Sequence, residues 1–280
     1  MTPTDERRVV LTTGANSGIG LATVVELARR GFRSVGTVRS PAKARRVAEA
    51  AGAAGVTVET ALLDVTDAEA CAAVVARFRP WGLVNNAGFS VTGALEDIDD
   101  DEARRALETM VLAPVRLARL ALPSMRDAGG GRIVNISSIY GLTTTPLTGW
   151  YQGCKHALEG LSDALRAEVA SAGVKVVLVE PGGFRTGIWQ EAQDDVAGRQ
   201  GSRFGPAYRR LATGTRLAQP VMGSPSQVAR VVARALRSPM PRARYLVGYD
   251  ARTGAVLERV VPTAVKDVVK DRLTRVVLGL

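Results

Sequence analysis

Short apolar runs rich in β-branched residues alternate with longer segments of helical periodicity along this chain. The run at residues 174–179, Val-Lys-Val-Val-Leu-Val, is almost entirely apolar, which is typical of strands buried on both faces. Such strands occur where helices cover both sides of a parallel sheet. The pattern therefore predicts an α/β protein built as a doubly wound parallel sheet, in three α/β/α layers.

The alternation is regular enough to place most elements of this sheet and its helices. Strands are predicted at residues 9–12, 34–38, 56–63, 82–84, 132–136, 174–179 and 245–247. Helices are predicted at residues 19–30, 41–51, 67–78, 102–126, 150–172 and 226–237. Because no internal repeat and no long linker interrupts the pattern, we expect one domain over residues 1–250, followed by a tail at 251–280.

Two segments carry expectations of their own. Residues 187–224 contain several glycines and many polar residues, so we expect a mobile lid over a substrate site, with an irregular surface segment as the alternative. In the tail, Val265 to Leu280 has apolar residues at helical spacing, which predicts an amphipathic helix. We expect that helix to pack on its own or a sister subunit. Membrane-surface contact is less favoured, because Asp267 and Asp271 dilute its basic face.

Composition excludes several classes of protein. The 280 residues are 46% hydrophobic and 23% charged, which suits a globular core rather than disorder. The net charge of +10 comes mostly from arginines on predicted helices, and no nucleic-acid motif accompanies it. Cys71 and Cys154 give neither a disulfide framework nor a metal-ligand spacing, so we expect no metal. Without a signal peptide or a bilayer-crossing stretch, a cytoplasmic location is expected.

A glycine-rich turn lies between the first predicted strand and the first predicted helix. Residues 13–20 read Thr-Gly-Ala-Asn-Ser-Gly-Ile-Gly. Glycines let the backbone approach a pyrophosphate, and the helix N-terminus offers N–H donors to it. The spacing differs from GxGxxG, but its position between strand and helix favours a Rossmann-like dinucleotide site over an ordinary turn. The candidate cofactor contacts here are Gly14, Asn16, Ser17, Gly18, Ile19 and Gly20.

The end of the second predicted strand indicates which dinucleotide is bound. NAD-binding folds usually place an acidic residue there for the ribose 2′-hydroxyl, whereas this chain has Val38 followed by Arg39 and Ser40. A guanidinium can pair with a 2′-phosphate. We therefore expect NADP(H) to be favoured over NAD(H), with Arg39 and Ser40 as contacts; a plain surface arginine is the alternative.

Tyr151 and Lys155 are four residues apart in a predicted helix, so their side chains share one face. A tyrosine titrates near ~10, and a cation one turn away favours the phenolate and lowers that pKa. Ser138 lies upstream at the end of a predicted strand. These three residues are candidates for acid–base catalysis, with the serine hydroxyl holding a substrate oxygen. His156 is expected to point away from Lys155, toward the surface.

Six motifs stand in order along the chain: the turn at 13–20, Asp64-Val65, residues 85–88, residues 135–138, Tyr151 with Lys155, and Pro181-Gly182 with Thr186. On these motifs the chain resembles the short-chain dehydrogenase/reductase family, in its single-domain branch, from about residue 7 to residue 247. The resemblance implies hydride transfer between a nicotinamide dinucleotide and an alcohol or ketone, and Arg39 favours NADP(H) as that dinucleotide. Tyr151 would be the general acid/base, Lys155 would bind the nicotinamide ribose, and Ser138 would orient the substrate.

The resemblance also implies further cofactor contacts. Asp64 and Val65 would contact the adenine. Asn86, Ala87 and Gly88 would support the adenosine ribose. The carboxamide would be held by Pro181, Gly182, Phe184 and Thr186.

One position departs from the family pattern. Met110 stands where the family carries a catalytic asparagine that holds a water linking the lysine to solvent, and no asparagine occurs between Asn86 and Asn135. A thioether is only a weak acceptor and no donor. Two interpretations follow. The protein is an active enzyme with an altered proton relay, which we favour, or it is a dinucleotide-binding scaffold or sensor with little catalysis.

The substrate wall is expected to be apolar, because large hydrophobic residues cluster after Ser138 and after Thr186. This favours a small apolar alcohol or carbonyl substrate that is steroid-, retinoid- or fatty-chain-like. Assembly as a homodimer or homotetramer is expected, without nucleic acid. The candidate pocket residues are Tyr140, Leu142, Trp150, Ile188 and Trp189.

Overall fold

A computed structural model describes residues 8–199, 201–273 and 275. Its strands form one seven-stranded sheet in the order β3-β2-β1-β4-β5-β6-β7, with every neighbouring pair parallel. The predicted doubly wound α/β fold is confirmed. The strands are β1 Val9–Thr12, β2 Arg33–Val38, β3 Glu59–Leu62, β4 Gly82–Asn85, β5 Gly131–Ile136, β6 Val174–Pro181 and β7 Arg244–Val247.

Helices connect these strands and complete the C-terminal part of the described chain. They are α1 Gly18–Arg29, α2 Pro41–Ala53, α3 Ala68–Phe78, α4 Asp100–Leu107, α5 Ala113–Asp127, α6 Gly149–Glu168, α7 Ile188–Gly198, α8 Gly205–Ala218, α9 Pro225–Arg237, α10 Tyr249–Val260 and α11 Thr263–Leu273. Short 3₁₀ turns lie at Leu95–Asp97, Ile139–Gly141, Ala170–Ala172 and Gln219–Val221. Among the described residues, no helix is long and apolar enough to cross a membrane.

Two apolar layers sandwich the sheet, because consecutive strand residues point to opposite faces. Leu83 on β4 packs in the layer formed with α3 and α5, whereas its neighbour Val84 packs in the layer formed with α1 and α9. Val176 and Val177 on β6 divide in the same way. Every central strand is thus covered on both sides. Only the ends of the strands are left for a binding site.

The long helix predicted at residues 102–126 is interrupted. A π-helical turn at Glu108–Leu112 separates α4 from α5. Pro114 follows directly, and it has no N–H to donate to the carbonyl of Met110 four residues earlier. A missing i→i−4 hydrogen bond is a common cause of such a local widening of a helix. The sequence pattern predicted one helix here because its apolar periodicity continues through the turn.

The segment at residues 187–224 is mostly helical, so the alternative of an irregular surface segment is wrong. Three of the six glycines in this segment stand at helix ends: Gly187 precedes α7, Gly198 closes it, and Gly205 opens α8. On α7, Asp195 accepts a hydrogen bond from the Thr92 amide at 3.0 Å. The helices are therefore attached to the segment after β4. Their mobility as a lid stays a prediction.

The C-terminal tail contains α10 and α11, and the predicted helix at residue 265 corresponds to α11. Lys270 Nζ contacts Thr144 Oγ1 at 2.7 Å, which attaches α11 to the domain. Val265, Val268 and Val269 nevertheless stay about half exposed. The remaining predicted stripe residues from 276 to 280 lie outside the described residues.

One tyrosine joins the lid segment to the domain, which generates a stability prediction. The fully buried Tyr208 on α8 accepts a hydrogen bond from the Ala94 amide at 2.8 Å and donates one to the Asp97 carboxylate. Tyr208→Phe removes both bonds and leaves a buried amide without a partner, which should lower the free energy of unfolding by about 1–3 kcal/mol. Urea denaturation measures the change. Tyr249→Phe, at an exposed tyrosine, is the matched control, and equal stability of the two variants would contradict the assignment.

Candidate active site

A cavity of about 1050 Å³ opens at the carboxyl ends of the central strands. Its wall includes the glycine turn after β1, the residues after β4 and β5, the first turns of α6, and the segment after β6. This edge is where doubly wound sheets bind their ligands, because loops diverge there on both sides of the sheet. Nearly all the candidate site residues identified from sequence meet on this wall.

The glycine turn is shaped for close approach of a ligand's phosphates. Gly14 and Gly18 adopt positive φ angles of 65° and 53°, which favour glycine. A Cβ on Gly20 would lie 2.2 Å from the Gly14 carbonyl oxygen. The Asn86 side chain donates hydrogen bonds to the carbonyl oxygens of Thr13 and Gly14, at 2.9 and 3.1 Å. Asn86 therefore stabilises the turn through its side-chain amide. Within the turn, Asn16, Ser17 and Ile19 also line the cavity.

The far end of the cavity, beyond β2, carries positive charge. Arg39 is exposed there and lines the wall, and so does Lys43 from the first turn of α2. The last residue of β2 is the buried Val38, and the next two residues are Arg39 and Ser40. No acidic side chain therefore stands directly after β2. Ser40 lies outside the lining, because its hydroxyl accepts a hydrogen bond from the Lys43 amide and caps α2. Lys43 was not among the residues identified from sequence, although its place three residues after Ser40, at a Ser-Pro helix start, was a usable signal.

Asp64 and Val65 line the same end of the cavity, next to Arg39. The backbone hydrogen bond from Thr66 holds the pKa of the Asp64 carboxyl below its usual value, against a smaller opposing effect of burial. The Thr66 hydroxyl and the charge of Arg39 act in the same direction as that bond. Asp64 is therefore an anionic acceptor beside a cationic patch. Ala87 and Gly88 complete this part of the wall.

Ser138, Tyr151 and Lys155 meet in the middle of the cavity wall. Ser138 follows β5, and the other two come from consecutive turns of α6. The Lys155 ammonium donates to the Ile136 carbonyl at 2.9 Å and lies 5.5 Å from the centre of the Tyr151 ring. The Tyr140 ring stands edge-on to Tyr151, with their centroids 6.3 Å apart. The geometry therefore places a phenol, a hydroxyl and an ammonium around one point.

Burial sets the ionisation of these groups. It raises the pKa of Tyr151 to about 12, while the hydrogen bond with Ser138 acts in the opposite direction. Burial lowers the pKa of Lys155 to about 8, against the opposing charges of Cys154 and Glu159. The expected lowering of the Tyr151 pKa by Lys155 is therefore outweighed here by desolvation of the phenolate. At neutral pH Tyr151 is a phenol, which is a proton donor.

Met110 is buried in the π-helical turn behind this centre, and it is not part of the cavity wall. It packs in an apolar cluster with Val111 and Cys154, against which Tyr151 also packs. A Cβ on Gly88 would lie 3.5 Å from the Met110 sulfur, so the side chain closes the space beneath Gly88. No polar group of Met110 is available to continue a hydrogen-bonded path from Lys155 on this side.

The stretch after β6 completes the wall opposite Tyr151. Pro181, Gly182, Phe184 and Thr186 all line the cavity. The Asp250 carboxylate accepts a hydrogen bond from the Gly183 amide at 2.5 Å, and a Cβ on Gly182 would lie 2.1 Å from Asp250 Oδ1. The stretch is thus fixed by α10. Sequence analysis missed Asp250, since no local pattern connects it to this segment.

Beyond the stretch the wall is largely apolar. Of the predicted substrate residues, Tyr140, Ile188 and Trp189 line the cavity. Trp150 and Leu142 lie outside it: Trp150 packs into the core cluster with Val91 and Ile98, and Leu142 follows the 3₁₀ turn. Val221, Met222 and Tyr249 line the cavity without having been identified from sequence, because they come from segments with no local signal.

The residues present fit a nicotinamide dinucleotide. The glycine turn leaves no room for side chains, and it lies between the cationic end of the cavity and the end that holds Tyr151 and Lys155. The turn suits a pyrophosphate, and the cationic end suits an adenosine phosphate. Together with the fold, this cavity defines a dinucleotide-dependent oxidoreductase of the Rossmann-like class.

Comparison with known proteins assigns the family. The family model described as short chain dehydrogenase matches residues 8–197. The uncharacterized oxidoreductase YusZ of Bacillus subtilis is 32% identical over 95% of this chain and 99% of its own length. Human 17-beta-hydroxysteroid dehydrogenase type 1 is 34% identical over 85% and 77%, and rat retinol dehydrogenase 7 is 31% identical over 94% and 87%.

Solved structures agree. A short-chain dehydrogenase from Streptomyces avermitilis superposes with a TM-score of 0.75 at 33% identity, covering 98% of this chain and 97% of that one. The F189W actinorhodin polyketide ketoreductase with NADPH gives 0.72 at 29% identity, covering 89% and 98%. The chain belongs to the short-chain dehydrogenase family. It is an oxidoreductase acting on CH–OH or C=O groups, as the sequence predicted.

Proposed function

We propose that the protein transfers a hydride between NADP(H) and an apolar secondary alcohol or ketone, with Tyr151 as the general acid/base. The observation that carries the proposal is the convergence of Ser138, Tyr151 and Lys155 on one cavity wall, between the 181–186 stretch and an apolar pocket. The bound dinucleotide supplies the hydride. The chain's own residues hold the substrate and move the proton.

The proton chemistry follows from the ionisation of the site. The Ser138 hydroxyl is placed to hold the substrate oxygen, which gains negative charge when a carbonyl is reduced. Tyr151, a phenol at neutral pH, donates its proton to that oxygen. Lys155 then stabilises the phenolate through its nearby positive charge and can return a proton to it.

Preference for NADP(H) is supported by Arg39 and Lys43 at the adenosine end of the cavity. Arg39 directly after β2 and Lys43 on α2, in place of an acidic residue at the end of β2, suit a 2′-phosphate better than a free 2′-hydroxyl. The actinorhodin ketoreductase, a structural neighbour of this chain, was solved with NADPH, which agrees with this preference.

An apolar substrate is supported by the wall beyond Tyr151. Phe89, Tyr140, Ile188 and Trp189 present aromatic and aliphatic surface to the cavity. Two relatives are named for a retinol and a hydroxysteroid, which are apolar alcohols. We propose the same class of substrate here, closed over by α7 and α8 as a lid. The scaffold or sensor alternative is not favoured, because the three acid–base residues are retained.

The test of this function is NADPH consumption with a panel of apolar ketones, followed by absorbance at the reduced nicotinamide band. Tyr151→Phe keeps the ring and removes the acid, so activity should fall by about 10²–10⁴-fold while NADPH binding is retained. Tyr249→Phe, which also changes the cavity rim by one hydroxyl, is the matched control. Undiminished activity of Tyr151→Phe would exclude the proposed mechanism.

The pKa values of the site give a pH prediction for ketone reduction. Reduction needs Tyr151 protonated and Lys155 charged. Since the pKa values are about 12 and about 8, Lys155 is the first to lose its proton as the pH rises. We expect kcat/KM to be flat below pH 8 and to fall above it, measured with a substrate that does not titrate. A decline beginning only near pH 10 would contradict this.

Cofactor preference gives a third prediction. Arg39→Ala removes a charge-assisted contact worth about 1.5–3 kcal/mol, so kcat/KM for NADPH should fall roughly 10- to 100-fold while that for NADH changes little. Arg45→Ala, on the same helix as Lys43 but outside the cavity wall, is the control. Equal losses with the two cofactors would show that Arg39 does not read the 2′-phosphate.

Met110→Asn tests the altered relay. An asparagine at this buried position restores a donor and an acceptor behind the acid–base centre, so turnover should rise by a fewfold while NADPH affinity stays unchanged. Met110→Leu, an apolar replacement of similar size, is the control. Turnover that is unchanged or lower in Met110→Asn would count against the relay interpretation.

A further inference from the structure

Two acidic residues are buried behind the acid–base centre, outside the cavity wall. Glu180 near the end of β6 is fully buried, and Glu159 on α6 is 6% exposed. Buried carboxylates are costly unless they are paired or protonated, so their presence calls for a physical reason. Neither is used in the mechanism above.

The fold brings these two residues together from different elements. Ile136 pairs with Val179 across β5 and β6, so Ser137 and Glu180, one residue on, project from the same face of the sheet. Glu159 approaches that face from α6. Its Oε1 and the Ser137 hydroxyl both lie close to Gly141, where an added Cβ would be 3.3 and 2.8 Å from them.

Arg244 on β7 holds the pair at its outer end. Its Nε is 3.0 Å from Glu159 Oε2 and 3.2 Å from Glu180 Oε1, and its Nη2 is 2.6 Å from Asp163 Oδ2. Asp163 in turn contacts Arg166 on the same helix. One guanidinium therefore faces three carboxyl groups. Arg166 contacts only Asp163 among these carboxyl groups, so Arg244 alone faces both glutamates.

The pair has unused hydrogen-bonding capacity that a proton would fill. Both oxygens of Glu180, Oε1 of Glu159 and the hydroxyl of Ser137 have no hydrogen-bond partner among the described residues. Two ionised carboxylates can only accept, whereas a single proton on one of them can be donated to the other. Burial, and then the charge of Glu159, raise the pKa of Glu180 to about 8, against the pull of Arg244.

Lys155 lies at the end of the pair that faces the acid–base centre. It precedes Glu159 by one helical turn, so the two side chains share a face of α6. The Lys155 ammonium donates to the carbonyl of Ile136, the residue directly before Ser137. The charge of Glu159 raises the pKa of Lys155 against the larger effect of burial. Met110, which packs in the apolar cluster that Tyr151 contacts, offers the centre only apolar surface.

We propose that Glu159 and Glu180 share one proton and exchange it with Lys155, so that protons pass between the active site and solvent through this pair instead of past Met110. The proposal rests on the proposed function. During reduction the Tyr151 O–H bond breaks as the substrate O–H bond forms, and Lys155 returns a proton to Tyr151. The carboxyl pair then returns a proton to Lys155 through solvent water, because the ammonium's own hydrogen bond goes to the Ile136 carbonyl. The pair takes up one proton from bulk solvent, so one proton is consumed for each carbonyl that is reduced.

The end of the pair next to Arg244 connects it to solvent. The side chains of Arg244 and Asp163 are 35% and 45% exposed, so solvent reaches the rim of the pair there. Glu159 and Glu180 act through Lys155 and are positioning residues for the reaction. The cluster as a whole extends from the acid–base centre to the protein surface.

The experiment compares Glu159→Gln and Glu180→Gln, which keep shape and remove the titrating group. Glu180→Gln should lower kcat for ketone reduction about 10-fold and increase the solvent isotope effect, with NADPH affinity unchanged. Glu180→Asp, which keeps a carboxyl, should recover part of the loss. Glu258→Gln, at a glutamate on α10 that pairs with Lys266 on α11 and is not part of the cavity wall, is the matched control.

The pH profiles give a signature that a structural defect would not. In Glu159→Gln the charge that helps keep Lys155 protonated is gone, so the alkaline limb of kcat/KM should move to lower pH. In Glu180→Gln the Glu159 side chain is still present beside Lys155, so the limb should not move to lower pH. Wild-type profiles and isotope effects in both folded variants would overturn the proposal.

Two measurements do not depend on turnover. The infrared carbonyl stretch of a protonated carboxyl should be visible in the wild-type protein at pH 7, and its absence would overturn the proposal even if the variants fail to fold. NMR titration of the Lys155 ammonium should show a lower pKa in Glu159→Gln, and an unchanged pKa would also overturn it. Inactivity with every ketone, together with a normal Lys155 shift, would instead count against the proposed function.

Discussion

The burial of both faces of the parallel sheet under helices is the constraint on which the rest of this structure depends. Two apolar layers, one against α3 and α5 and the other against α1 and α9, close the sheet on either side. Polar groups in the middle of such a sheet would have no water, so the functional groups collect where the strands end. The glycine turn, Ser138 and the 181–186 stretch all occupy that edge. The cavity is thus a consequence of how the core is built.

Burial also decides the chemistry at that edge. The desolvation that keeps Tyr151 a phenol also reduces the hold of Lys155 on its proton. A lysine poised in this way needs a partner that can return its proton. The family resemblance implies an asparagine for that purpose, and this chain has Met110 at the position. The carboxyl pair begins one helical turn from Lys155, at Glu159, and it offers carboxyl groups where Met110 offers a thioether.

The sequence predicted some elements of the fold better than others. The strands were placed well because a run such as residues 174–179 has no other stable environment than a doubly covered sheet. The π-helical turn was missed because apolar periodicity continues through it, and only the missing N–H of Pro114 marks it. Helices α7 and α8 were not predicted because the glycines of residues 187–224 indicated a flexible segment. Gly187, Gly198 and Gly205 instead stand at helix ends, and the buried Tyr208 attaches α8 to the domain.

By itself the sequence determined the fold class, the dinucleotide turn, the family and the spacing of Tyr151 and Lys155, because each of these depends on residues close together in the chain. The tertiary structure decided what depends on distant residues and on burial. Asp250 fixes Gly183 from α10, Trp150 is in the core and not in the pocket, and Ser40 caps a helix. The direction of the Tyr151 pKa shift reversed because desolvation depends on packing. Glu159, Glu180 and Arg244 meet only because α6, β6 and β7 are neighbours in space.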